Sequence, residues 1–168
     1  MLQRLFQGKK GLLILMAVTL LLTPLHGWAL EIGAPPPDFE LPGIKGDTVR
    51  LSAFRGRPIV LKIATTWCPS CKVQVKELAL AQDVLKAYNA AVIEVYIDEP
   101  LQDVVNDVQT RPTALASVVA VDDGQVARKY NLLGIPRVLV IDRDFLVQRD
   151  RGLLTADDLA AKLKSLDR

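Results

Sequence analysis

The chain has 168 residues, 50% hydrophobic, with 21 basic and 19 acidic side chains. That suits one domain plus a tail, and there are no repeats or low-complexity runs. The net charge of +2 comes from the start of the chain: Arg4, Lys9 and Lys10 face no acid there, and residues 30–168 carry 18 basic and 19 acidic side chains. No basic patch remains to argue for nucleic-acid binding.

After Arg4, Lys9 and Lys10 comes an apolar run, Leu12 to Leu22, broken by Thr23-Pro24. Gly27-Trp28-Ala29 then offers small residues at the two positions a signal peptidase reads. This is the layout of a secretory signal cut after Ala29. The run is shorter than the roughly 20 residues that span a bilayer. Leu25, Trp28 and Leu30 can extend it, so an uncleaved membrane anchor is the competing reading. Both readings export the folded domain, and no cysteine near the cut suggests a lipid anchor. The expected organisation is a signal peptide or anchor over 1–29, a Pro-rich linker or arm over 30–38, and a folded domain over 39–168.

Pro35-Pro36-Pro37 disfavours helix and lacks donors for a ladder. Phe39-Glu40-Leu41 reads as an edge strand, 43–46 as a hairpin turn, and Thr48 to Leu51 as the second strand. Ser52 is a candidate cap for a short helical turn before Gly56. Ile59 to Ala64 reads as a buried strand, and Lys72 to Tyr88 as a helix with Val75, Leu78, Leu85 and Tyr88 on one face. Between them stands Trp67-Cys68-Pro69-Ser70-Cys71, which holds the only two cysteines. Ala91 to Ile97 is a second strong strand. A helix over 101–109 ends at Arg111-Pro112, and Ala116 to Val121 is a strand. Asp122-Asp123-Gly124 is a turn, followed by a short helix over 125–130. Arg137 to Ile141 is a strand with an antiparallel partner over Phe145 to Gln148. Thr155 to Leu166 is the final helix, with Thr155 and Asp158 approximating a capping box. The alternation indicates an α/β sheet covered on both faces.

The Cys-x-x-Cys pair sits on a strand-to-helix turn, with Cys68 at the helix N-terminus. Unpaired N–H groups and the helix dipole favour an anion there, so a Cys68 thiolate is stabilised. Pro69 suits the first turn, where its missing donor has no intrahelical acceptor. A pair so placed can close a disulfide and reopen it by thiolate exchange. Two rival readings are weaker. A structural disulfide this tight restrains the unfolded chain little. A structural zinc site needs about four ligands, and the only histidine, His26, lies in the targeting segment.

These residues resemble an extracytoplasmic thioredoxin-fold protein of the TlpA/ResA-like (redoxin) type over about 33–166. The likeness rests on Gly33-Ala34-Pro35-Pro36-Pro37-Asp38-Phe39, Gly56-Arg57-Pro58, Trp67 to Cys71, Gly134-Ile135-Pro136 before Val138 to Asp142, and Gly152. It implies a thioredoxin-like α/β fold: a central mixed sheet flanked by helices, with an N-terminal β-hairpin extension. It implies that Cys68 attacks and Cys71 resolves, and that Pro136 is a cis-proline facing the disulfide. Trp67, Pro69 and Ile135 would support the substrate site. The reaction implied is dithiol–disulfide exchange on protein disulfides, without metal or organic cofactor. An exported reductase needs electrons, so the likeness also implies a membrane electron donor, with cytochrome c biogenesis as one candidate role. The chain departs from the family where many relatives have Glu and this chain has Gln74, and where Lys76 replaces a proline and Ala64 an aromatic.

Lys62 and Glu94 stand alone as charges in two apolar strands, a costly placement unless they pair. Thioredoxins carry a buried acid and a lysine at matching places, and this chain holds the pair with charges exchanged. The expectation is that Lys62 and Glu94 meet under Cys71, Glu94 accepting the Cys71 proton and Lys62 favouring a nearby thiolate. Two other functions stay open: a thiol peroxidase, since Thr65 lies three residues before Cys68, and a non-catalytic binding or chaperone module.

Overall fold

The computed structural model describes residues 30–111 and 115–167. A hairpin of β1 (Glu40–Pro42) and β2 (Thr48–Arg50) leads into a 3-10 turn over Leu51–Phe54 and then β3 (Ile59–Ala64). Next come α1 (Pro69–Leu80), α2 (Gln82–Ala87), β4 (Ala91–Ile97), α3 (Leu101–Thr110) and β5 (Val118–Asp122). The chain closes with α4 (Gln125–Lys129), β6 (Arg137–Ile141), β7 (Val147–Arg151) and α5 (Ala156–Leu166). The sheet order is β5-β4-β3-β6-β7. The β3–β4 and β4–β5 pairs are parallel, and the β3–β6 and β6–β7 pairs are antiparallel. This is the thioredoxin-like mixed sheet with an added hairpin.

The period of two along a strand sorts the core into two layers. Ile59, Leu61, Ile63, Ile93, Val95 and Ile97 pack on one face with Leu41 and Val49 of the hairpin and Val126 of α4. Val60, Val92, Val138 and Val140 pack on the other with Leu78, Ala81 and Leu85 of α1–α2 and Leu159 and Leu163 of α5. Each such side chain contributes about 1.5–3 kcal/mol when fully buried, so both layers are needed. Lys62 and Glu94 share the second face, directly paired in register. Beyond them Ala64 touches both cysteines.

Both sheet edges are covered, which blocks pairing with other chains. The hairpin lies over β5, where Gly43 bridges to Ala120 and the Ile44 N–H donates to the Val119 carbonyl. The arm before the hairpin covers β7. There the Gly33 N–H donates to the Val147 carbonyl at 2.7 Å and the Val147 N–H to the Ala34 carbonyl at 2.9 Å. The Leu30 N–H donates to Asp150 Oδ2 at 2.6 Å. The segment expected as a linker or arm is therefore docked along the edge strand.

Several expected boundaries move. The helix after the cysteines begins at Pro69 and breaks at Ala81, which keeps Leu78, Ala81 and Leu85 against the sheet. Ser52 lies inside its turn and caps nothing; its N–H and hydroxyl donate to the Asp38 carboxylate instead. The last strand is Val147–Arg151 and not 145–148. Phe145 has a φ of +67°, and the Asp142 carboxylate accepts the Leu146 N–H, so the turn runs two residues further than hydrophobicity suggests. The β5 strand starts at Val118, and the stop assigned to Pro112 lies outside the described residues. Residues 1–29, with the signal or anchor reading, are also outside them. Among the described residues no helix is long and apolar enough to cross a membrane.

Candidate active site at the Cys68–Cys71 turn

Cys68 is the N-cap of α1 and Pro69 occupies the first helical turn. The cap geometry turns the Cys68 side chain back over the helix, where its sulfur accepts the Cys71 N–H at 3.2 Å. The Ser70 hydroxyl lies 3.2 Å from the same sulfur and can donate to a thiolate. Both cysteines are free thiols, Cys68 5% exposed and Cys71 1%.

These surroundings separate the two thiols. Burial pushes the Cys68 pKa up, but the Cys71 and Ser70 donors outweigh it, and the thiol ends below its ordinary value. Burial also pushes Cys71 up, and so does the hydrogen bond to Cys68; it reaches about 12 although a backbone hydrogen bond with Thr65 and, less strongly, the Lys62 charge pull it down. The outer sulfur is thus the more readily ionised of the two. The inner one stays a thiol while Cys68 carries charge.

The turn is held from both sides. Glu99 accepts the Thr66 N–H at 2.8 Å and the Thr66 hydroxyl at 2.5 Å, tying the segment before Trp67 to the end of β4. Facing it, the Ile135–Pro136 peptide bond is cis, Pro136 is buried, and Ile135 packs on Ala64, Cys68 and Cys71. Arg137 anchors the residue after that proline: Nε donates to Asp150 Oδ1 at 2.7 Å and Nη2 to Oδ2 at 2.5 Å. It also donates to the Tyr130 carbonyl. A groove of about 370 Å³ runs past Leu133, Gly134, Ile135, Pro136 and Gly152. A larger cavity of about 710 Å³ lies between Leu30, β7 and α5; it meets the groove at Asp150 and Arg151 and is lined by neither cysteine nor Pro136. Trp67 is 70% exposed and Leu133 63%, so Trp67 is no core residue. Together they leave apolar surface beside a reactive sulfur.

Below the cysteines Lys62 and Glu94 form a fully buried ion pair, Nζ to Oε2 2.6 Å. Three more side chains, none singled out by sequence, also donate to this carboxylate. Arg111 reaches both oxygens, Nη1 to Oε2 at 3.1 Å and Nη2 to Oε1 at 3.0 Å. Ser117 donates to Oε1 at 2.5 Å and the Tyr96 hydroxyl to Oε2 at 3.3 Å. Burial alone would raise the Glu94 pKa; the Lys62 charge, then Arg111, bring it down to about 2. Four donating side chains hold Glu94 as a carboxylate beneath the cysteines, which disfavours it as an acceptor of the Cys71 proton.

Gln74 has a structural role. Its amide donates to the Leu154 carbonyl at 2.9 Å and its oxygen accepts the Leu154 N–H at 2.7 Å. A glutamate could do only half of this. Thr65, singled out for its spacing from Cys68, has a buried hydroxyl with no hydrogen-bond partner, Cys68 included. Among the described residues no group of three or more His, Cys, Asp or Glu is placed to hold a metal ion.

The AhpC/TSA family model matches residues 32–150. The chain belongs to that family. It is 27% identical over 139 residues to the thiol-disulfide oxidoreductase ResA of Geobacillus kaustophilus, covering 82% of this chain and 79% of that one. It is 29% identical over 151 residues to the thiol:disulfide interchange protein DsbE of Pseudomonas fluorescens biotype C, covering 80% and 77%. Among solved structures, a thiol:disulfide interchange protein DsbE from Chlorobium tepidum superposes with a TM-score of 0.73 at 29% identity, covering 82% of this chain and 99% of that one. Family, fold and cysteine pair make this chain a thiol–disulfide oxidoreductase of thioredoxin type.

Proposed function

We propose that the protein is exported and reduces protein disulfides outside the cytoplasm, with Cys68 as attacking and Cys71 as resolving thiol. The observation that carries this is the contrast between the two sulfurs: Cys68 caps a helix, accepts the Cys71 N–H and lies 3.2 Å from the Ser70 hydroxyl, while Cys71 is buried behind it. Cys68 thiolate attacks a target disulfide; one target sulfur leaves as thiolate and the other stays bonded to Cys68. That bond removes the Cys68 charge, which had held the Cys71 proton in place. Cys71 then attacks Cys68, its proton passes to the departing target sulfur, and the target leaves as a dithiol while Cys68–Cys71 is oxidised. Trp67, Leu133, Ile135 and Pro136 offer the target an apolar surface, and Pro69 shapes the cap. The Lys62–Glu94 pair supplies charge beneath Cys71. Returning the disulfide to dithiol needs an electron donor, and for an exported protein that is a membrane-bound thiol reductant. Cysteines of apocytochromes are one candidate target.

Export is supported by the charged, apolar and small-residue layout of residues 1–29. Cell fractionation with mass spectrometry tests it, and a cytosolic chain retaining Met1 contradicts it. For the reaction, the Cys68–Cys71 potential against glutathione decides direction: near ~−270 mV supports a reductase, near ~−120 mV an oxidant. Cys71→Ser should trap targets as mixed disulfides on Cys68. Rapid peroxide consumption with a sulfenic acid at Cys68 would replace this reading by a peroxidase. Partner binding and phenotype unchanged in Cys68→Ser would replace it by a binding module.

A further inference from the structure

Arg111 is the C-cap residue of α3, 17 positions from Glu94, and its side chain is 10% exposed. Its fork reaches both carboxylate oxygens of Glu94. A buried pair of Lys62 and Glu94 would be neutral overall. With Arg111 added, two cations share the Glu94 carboxylate.

Every element packed here contributes. β3 supplies Lys62, β4 supplies Glu94 and Tyr96, and α3 supplies Arg111 and Asp107, the latter 3.5 Å from the Tyr96 hydroxyl. Ser117 enters from the segment before β5, and Cys71 from α1 feels the Lys62 charge. Lys62 Nζ also lies 3.4 Å from the Tyr96 hydroxyl. A bidentate guanidinium–carboxylate contact is among the stronger and more directional charge-assisted contacts in proteins. Without it Glu94 would have mainly the Lys62 charge to set against the cost of burial, so its carboxyl would titrate higher than it does with Arg111 in place.

We propose that Arg111 is a positioning residue of the exchange reaction: its fork engages both oxygens of the Glu94 carboxylate and so keeps that anion from fully neutralising Lys62 beneath Cys71. The inference rests on the reading above that Cys71 is the resolving thiol. It makes release of the target independent of any carboxyl titration under the disulfide. Lys62, not Glu94, is then the group that eases ionisation of Cys71.

The test uses the full chain, with mixed disulfide to a model peptide formed on Cys68 and release followed in single turnovers from pH 5 to 8. In the wild type the release profile should carry no inflection that Glu94→Gln removes. Arg111→Met should slow release about tenfold at pH 8, where an ionised Glu94 then neutralises Lys62, the effect of one unit in the Cys71 pKa. This deficit should fade toward pH 5 through an inflection as Glu94 takes up a proton. The inflection should vanish in Arg111→Met/Glu94→Gln, and Arg111→Lys should restore most of the rate. A folded Arg111→Met with a profile superimposable on wild type would overturn the inference. So would a wild-type inflection sensitive to Glu94→Gln. If Arg111→Met fails to fold, the Glu94 carboxyl carbon signal in the wild type decides: constant from pH 5 to 8 supports the inference, and titrating there overturns it. Cys68→Ser separates the two readings. Loss of exchange in Cys68→Ser with a silent Arg111→Met removes only the role of Arg111, and exchange retained in Cys68→Ser removes the active-site reading itself.

Discussion

Lys62–Glu94 joins β3 to β4 beneath Cys71, and Arg137–Asp150 joins β6 to β7 behind Pro136. In the first pair the acid is surrounded by side-chain donors: Arg111, Ser117 and Tyr96. In the second, Arg137 also donates to the Tyr130 carbonyl, and Asp150 also accepts the Leu30 N–H. The same chemistry therefore serves two ends. A pair ringed by side chains sets charge near a thiol, and a pair tied to backbone holds loops in place. The second pair fixes the residue after Pro136, the end of α4 and the N-terminal arm together.

Breaking either pair tests that division. Asp150→Ala leaves Arg137 buried without its carboxylate and should cost about 3–5 kcal/mol in urea unfolding. It should also weaken turnover of protein substrates while the Cys68 titration stays in place. Glu94→Ala should destabilise by a similar amount, about 3–5 kcal/mol, but here release from the mixed disulfide should change as well. If Asp150→Ala moved the thiol titrations as far as Glu94→Ala, the division would fail. The first pair also responds to acid. The Glu94 pKa is depressed to about 2, so its contribution to stability is complete above the unfolded carboxyl value of about 4.3. That contribution is lost as pH falls from about 4.3 toward 2, because the unfolded chain then binds a proton that the folded one refuses. Urea unfolding of wild type and Glu94→Gln should converge over that interval.

Two substitutions with smaller effects bear on the same contrast. Gln74→Glu loses the donor to the Leu154 carbonyl and buries a charge, for a cost of about 1–3 kcal/mol by thermal unfolding. Trp67→Ala removes an exposed ring, so stability should move by no more than about 0.5 kcal/mol. The same variant should lower kcat/KM for a protein disulfide and leave the rate with a small aromatic disulfide unchanged. Equal losses with both substrates would mean that Trp67 acts on the sulfur and not on docking.

Much of this site was legible in the sequence because its signals are local. A buried strand, a tryptophan, a proline at the first helical turn and two cysteines lie close together in the chain, and each reports on its neighbours. Lys62 and Glu94 were legible for a different reason: a single charge in an apolar strand needs a partner, and the two strands are adjacent. Arg111 was not. Its meaning depends on where α3 ends and on a carboxylate 17 residues earlier, and a lone arginine before a proline looks like an ordinary helix stop. Gln74 is similar, since its partner Leu154 is 80 residues away. The shift of β7 was hidden by Phe145. A large apolar residue reads as strand, yet it takes a left-handed turn conformation that aromatic side chains rarely adopt.

The exchange mechanism depends on the inequality between the two sulfurs. Its most direct test is the pH dependence of alkylation of the fully reduced protein with limiting reagent, read by peptide mass mapping. Cys68 should be labelled first, with a midpoint below the ordinary thiol value of about 8.5, and Cys71 should resist until the chain unfolds. Labelling of Cys71 ahead of Cys68, or a Cys68 midpoint above that value, would contradict the assignment of attacking and resolving thiols.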